Sequence, residues 1–203
     1  MPVSSVRVTE GSGPYLHTWQ RSVSSVNREE QYIQLGEPAL PTFTAIASGI
    51  SVGTTAAHVL QLMAGSTNYV RVSRIEIAQV ANATSASNAI FAIYRLTTAG
   101  SGGSSVTPNP FDTADTATAT AQTLPSSKGT EGAQLLRATL LFRQTIQTTS
   151  AVQNDRWVWQ QTPGRKPLII PAGTSNGIAV KIGTGIAGAT ADVLIEFAET
   201  AWL

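Results

Sequence analysis

Cysteine is absent from this 203-residue chain, histidine occurs twice, and charged side chains make up only 12%. The first absence excludes a disulfide framework and any thiol nucleophile. The scarcity of His and acids leaves few groups for general acid–base work, and none stands at a spacing that a metal site requires. No run approaches the ~18 apolar residues of a membrane-crossing helix. The opening Met1-Pro2-Val3-Ser4-Ser5-Val6-Arg7 lacks the apolar stretch of a secretory leader, so synthesis in an aqueous cytoplasm is expected. A formal charge of +1 argues against a protein that grips nucleic acid through clustered positive charge. The chain is therefore expected not to be an enzyme, to use no cofactor or metal, and to engage neither nucleic acid nor membrane.

What fills the sequence is Thr, Ser, Ala, Gly and β-branched apolar residues, the composition of a sheet protein. A single domain of this size buries roughly 70% of its unfolded surface and folds without a staple. The apolar fraction of 42% includes much Ala, so large core residues are fewer than it suggests, as in a subunit of an obligate oligomer. Ten Arg against three Lys (Lys128, Lys166, Lys181) suit interfaces, where the planar guanidinium pairs well, or an ordinary Arg-rich surface.

Residues 1–41 read as an extended N-terminal arm or collar. Isolated aromatics (Tyr15, Trp19, Tyr32) stand among Ser, Gly and Arg, with a breaker at Gly11-Ser12-Gly13-Pro14. Asn27-Arg28-Glu29-Glu30 has the make-up of a capped helical turn running to Leu35. Such an arm is expected to lie on a neighbouring subunit. Its interface candidates are Tyr15, Trp19, Arg21, Arg28 and Tyr32.

From 42 to 203 the pattern is strands. Phe43 to Ala47 ends at Gly49; Thr55 to Met63 precedes a turn at Gly65-Ser66-Thr67-Asn68. In Tyr69 to Val80, Val70 and Val72 share one parity and Ile75 and Ile77 the other, which requires a bulge near Ser73-Arg74. Ala89 to Thr97 is apolar on both faces and should be a covered, interior strand. Gly100 to Pro125 reads as a long low-complexity loop, with the Thr/Ala alternation of Thr113 to Thr123 able to form an edge strand. Gln134 to Gln147 fits a helix or a strand, and its Thr-rich end favours the strand. Trp157-Val158-Trp159 places two indoles on one face, and Pro167-Leu168-Ile169-Ile170-Pro171 belongs near an edge. Ile178, Val180 and Ile182, then Val193, Ile195 and Phe197, alternate cleanly, with Gly183 to Gly188 expected as a hairpin connection. The whole reads as all-β: a β-sandwich, jelly-roll-like by preference.

The chemistry-bearing residues have simpler structural explanations. His58 fits a half-buried sheet position, and His17 beside Trp19 fits packing in the arm. Glu76 and Glu196 fit outward strand acids better than a glycosidase pair. Asp112 and Asp115 lack the acid and Gly density of a calcium loop. Arg165-Lys166 makes a basic turn suited to solvent or to an acidic partner. Asn82-Ala83-Thr84 is a sequon with no secretion signal beside it. Trp157 and Trp159 suit core or subunit packing, or a sugar-stacking platform.

Arg74-Ile75-Glu76-Ile77, Ile93-Tyr94-Arg95-Leu96-Thr97-Thr98-Ala99-Gly100-Ser101-Gly102-Gly103 and Val106-Thr107-Pro108-Asn109-Pro110-Phe111-Asp112 resemble segments of small virion proteins of tailed bacteriophages. Pro167 to Gly173 followed by Gly177-Ile178-Ala179-Val180 is similar too, so the likeness spans about Arg71 to Phe197. It implies a β-sandwich subunit of the virion, often trimeric, and carries over no site residues. The expected function is a capsid decoration (cement) protein, a homotrimer bound to the major capsid protein. The alternatives are a tail, neck or baseplate adaptor, and a carbohydrate- or receptor-binding module using Trp157 and Trp159.

Overall fold

The computed structural model describes residues 18–23, 26–31, 40–53, 57–81, 87–142, 155–162 and 164–201, the first two by their backbone alone. The chain divides into two compact units, Met1–Ala39 and Leu40–Leu203. In the first, β1 (Thr18–Val23) and β2 (Val26–Gln31) form an antiparallel hairpin. The helical turn expected at Asn27–Glu30 is thus a strand: capping is worth about 1 kcal/mol, too little to nucleate a helix where the backbone can pair with a neighbouring strand.

The second unit is all-β, with two antiparallel sheets packed face to face. Its strands are β3 (Thr42–Ser51), β4 (Ala57–Met63), β5 (Tyr69–Ala81), β6 (Ser87–Leu96), β7 (Ser104–Val106), β8 (Asn109–Pro110), β9 (Thr120–Thr123), β10 (Glu131–Phe142), β11 (Arg156–Gln160), β12 (Leu168–Ile170), β13 (Gly177–Thr184) and β14 (Thr190–Thr200). One sheet runs β11-β5-β14-β3-β8, with β12 beside β11 on the same edge of β5; the other runs β10-β6-β13-β4-β9-β7.

The alternating residues meet between the sheets. Phe43, Val72, Ile75, Ile77, Ile170, Val193, Ile195 and Phe197 come from the first; Leu60, Leu62, Phe91, Ile93, Leu140, Phe142, Ile178 and Val180 come from the second. Each large side chain so covered contributes about 1.5–3 kcal/mol. Phe43 and Phe197 stack across β3 and β14 with ring centroids 5.6 Å apart. The described part of the ambiguous 134–147 segment is strand, through Phe142, and 143–147 lies outside the described residues. β6 is flanked on both sides and apolar on both faces, as its sequence requires.

The bulge falls where the parity skips. Val72 faces Phe197 and Arg74 faces Glu196, so Ser73 is the extra residue. Its hydroxyl donates to the Glu196 carbonyl (3.1 Å) and carboxylate (3.0 Å), which pins the kink. A second bulge changes one expectation: β3 does not stop at Gly49 but passes through it to Ser51. Gly49 adopts φ 62°, a left-handed conformation that costs glycine little, and donates its N–H to Asp192 Oδ1 at 2.7 Å.

Two longer-range expectations are overturned. β13 and β14 are not a hairpin, because they lie in different sheets. Gly183 to Gly188 is instead a crossover held by Ile186 N–H to Val52 O (2.7 Å) and Val52 N–H to Ala189 O (2.9 Å). Two strands that each turn one face to the same core alternate alike whether or not they pair, so alternation could not separate these cases. The 100–125 stretch is not a structureless loop either. β8 extends the β3 edge of the first sheet, and β7 and β9 extend the β4 edge of the second. Of the Thr/Ala alternation only Thr120–Thr123 is a strand, and it is flanked by β4 and β7 rather than lying at the edge, with Ala121 and the preceding Ala119 buried.

Candidate functional site

The most concentrated chemistry of the sandwich unit lies on the outer face of the second sheet, beneath the insertion that links β6 to β10. Residues 97–101 and 126–130 run together as its neck. Thr97 N–H donates to Thr130 O at 3.0 Å, and Ser101 and Ser127 exchange backbone bonds of 2.9 and 3.1 Å. This neck brings Gly100 and Glu131 over β4, where His58 and Gln61 are fully buried. A bulge between the pairs Leu60–Val180 and His58–Lys181 puts both on the same outward face, although an odd number separates them.

His58 Nε2 lies 3.0 Å from Glu131 Oε1, and Lys181 Nζ lies 2.8 Å from Glu131 Oε2. The ammonium also sits 4.9 Å from the centre of the Tyr94 ring, whose hydroxyl donates to Gln134 Oε1 at 2.8 Å. On its other side His58 Nδ1 meets the Gln61 amide nitrogen. Gln61 Oε1 accepts from Gly100 N–H (2.9 Å) and from Gln122 Nε2 (2.8 Å), and Gln122 Nε2 also donates to Gly100 O at 2.7 Å. Burial holds the His58 pKa below its ordinary value, outweighing the Glu131 hydrogen bond and charge that raise it. For Glu131, burial pushes upward but the Lys181 and His58 contacts prevail, leaving the carboxyl below its usual range.

A second buried acid clamps the far end of the insertion. Glu199 on β14 is 3% exposed and accepts from Ala119 N–H (2.7 Å), Thr118 N–H (2.9 Å), Thr118 Oγ1 (2.6 Å) and Asn68 Nδ2 (3.1 Å). The two clusters tie one insertion to both sheets. On the outer face of the first sheet, Glu76 is held by Arg74 and, at 3.2 Å, by Arg156, so its charge is paired rather than free for chemistry. Arg95 reaches across the rim to the carbonyl of Ile169, and burial lowers its pKa.

Trp157 and Trp159 sit on β11 opposite Ile77 and Ile75, both half-buried against the core, with exposed Val158 between them. Trp19 and Arg21 lie in β1 and Arg28 in β2; Arg21 pairs directly with Arg28, and Trp19 with Glu30. Tyr15, Tyr32, His17 and Asn82-Ala83-Thr84 fall outside the described residues. Asp112 serves a turn, accepting from Ala114 N–H at 3.0 Å. Among the described residues no group of three or more His, Cys, Asp or Glu could hold a metal ion, and no helix is long and apolar enough to cross a membrane. His58 was expected half-buried but is wholly buried, because the neck covers it.

Gln61, Gln122, Glu131, Lys181 and Glu199 were not singled out by sequence reasoning. One had a signal: Glu199 continues the inward parity of Val193, Ile195 and Phe197, so it had to be either buried and satisfied or the strand's end. The His58–Glu131 contact, 73 residues apart in sequence, had none. No family model, curated protein or solved structure matches the chain.

Proposed function

We propose that this chain is a structural subunit of a tailed-phage virion, a capsid decoration protein that works as a homotrimer by adhesion to the major capsid protein. The observation that carries the reading is the two-unit division, with a two-stranded hairpin among the described residues of the first unit. A two-stranded hairpin by itself is marginal in water, so it gains stability when laid on a larger surface. Tyr15, Trp19, Arg21, Arg28 and Tyr32 are assigned to that contact, with Trp157 and Trp159 contributing from the sandwich edge.

Two further features support it. The buried His58 and Glu199 and the half-buried Glu131 are engaged in fastening the insertion rather than grouped around a cleft. The strand order also fits the jelly-roll reading: β3-β14-β5-β12 faces β4-β13-β6-β10, the arrangement of two interleaved Greek keys. The mechanism is multivalent: modest apolar burial, repeated by symmetry, makes weak single contacts persistent.

The test compares the full chain with a variant lacking residues 1–39 by light-scattering mass and by binding to undecorated phage heads. A trimer that binds heads, with binding lost on truncation while the sandwich stays folded, is the expected result. A monomeric full chain that ignores heads sinks the proposal. Location on the tail of intact particles, by labelling, would move the subunit to the adaptor reading.

A further inference from the structure

We propose that His58 is a pH-sensitive latch that keeps the insertion of residues 97–130 closed on the second sheet only while its imidazole is neutral. The argument begins with polarity that cannot be reversed. Gly100 N–H can only donate and Gly100 C=O can only accept. The N–H bonds to the Gln61 side-chain oxygen, and the carbonyl receives the Gln122 amide nitrogen, which also donates to that same Gln61 oxygen. Gln61 is thereby oriented with its NH2 toward His58 Nδ1, which must offer a lone pair. The ring proton then sits on Nε2 and is donated to Glu131 Oε1. One hydrogen arrangement satisfies every member, and no buried side-chain polar atom in the described residues lacks a partner.

A second ring proton breaks this arrangement. It would place N–H on Nδ1 against the NH2 of Gln61, two donors facing each other. Flipping Gln61 relieves that contact but turns its NH2 onto Gly100 N–H and onto Gln122. Flipping Gln122 as well removes its bond to Gly100 O. Each remedy leaves the Gly100 N–H unpaired, so protonation is felt at the neck of the insertion. The charged groups around the ring are Glu131 from β10, which favours protonation, and Lys181 from β13 and Lys128 before β10, which oppose it. Burial is the largest influence and also opposes it.

The sign follows from linkage. With the insertion lifted, His58 meets water and takes a proton near its ordinary 6.5; closed, it does so only at lower pH. Between those two values each unit of acidification favours opening by up to about tenfold. The Lys181 and His58 contacts hold the Glu131 carboxyl below its ordinary range, so over the scan from pH 7.5 to 5 the histidine is the member of the pair expected to change charge.

The experiment is amide hydrogen exchange on the full chain from pH 7.5 to 5, corrected for intrinsic rates. Protection at Gly100 and Ser101 is expected to fall steadily below about pH 6.5, while Val193 and Ile195 in β14 hold. His58→Gln should flatten that dependence, its amide being neutral throughout. Nitrogen NMR of His58 in the unmodified chain, distinguished from His17 by substitution of the latter, should report the Nε2–H tautomer at pH 7. Protection at Gly100 that ignores pH, the opposite tautomer, or an undiminished pH dependence in the variant would overturn the latch. If the variant does not fold, the exchange profile and tautomer of the unmodified chain decide.

Discussion

Replacing Glu199 tests whether buried hydrogen bonds, rather than sheet pairing alone, hold the insertion in place. In Glu199→Ala the buried Ala119 N–H loses its acceptor, at about 2 kcal/mol for an orphaned donor whose bond was charge-assisted. Thr118 is exposed and Asn68 half-buried, so their freed donors reach water and together cost about 1 kcal/mol more. The expected loss is about 3 kcal/mol. For a domain of this size that lowers Tm by roughly 6–12 °C. Glu199→Gln keeps one oxygen for the two backbone donors, while the Thr118 hydroxyl and Asn68 amide can reorient toward its NH2. It should cost about 1–2 kcal/mol, mostly the difference between charged and neutral acceptors. Urea denaturation gives the stability, and amide exchange at Thr118 and Ala119 shows whether the loss is local. A Glu199→Ala protein within about 0.5 kcal/mol of the parent, with the Ala119 amide still protected, would refute the reasoning.

Phe197→Ala should cost about 3–5 kcal/mol, since the ring is wholly buried and stacked on Phe43. A double-mutant cycle with Phe43→Ala should find about 0.5–1.5 kcal/mol of coupling, and additive losses would show that the stacking contributes nothing specific. At the crossover, a Cβ on Gly185 would lie 1.4 Å from the Gly53 carbonyl oxygen, a backbone collision that no rotamer relieves. Gly185→Ala should therefore abolish folding or cost several times more than Gly49→Ala. The latter finds open space and bears only the left-handed backbone cost of about 1–2 kcal/mol. Equal thermal midpoints for the two would contradict the crossover geometry.

Sequence alone determined most of the core strands and which face of each is buried, because a period of two is a local property of the chain; β2, β7 and β8, which lack that alternation, were not legible. Ser73 shows how far this reaches: a single skipped parity located the bulge near Ser73-Arg74, and the pairing makes Ser73 the extra residue. Local pattern also placed the Pro-bracketed Leu168–Ile170 at a sheet edge, where a missing N–H does no harm. Partner choice belonged to the tertiary structure. Ile178-to-Ile182 and Val193-to-Phe197 read as neighbours, yet their strands occupy opposite sheets because one core wants both apolar faces. The Gly- and Thr-rich insertion has little apolar content of its own. Its order comes from pairing of β8 and β9 with the edges of the two sheets and from Gln61 and Glu199, which are distant in sequence and reach it only once the sheets have formed. The same holds for the His58–Glu131 contact: only folding closes the 73-residue separation, and only the folded surroundings shift the two groups, burial lowering His58 and the Lys181 and His58 contacts lowering Glu131.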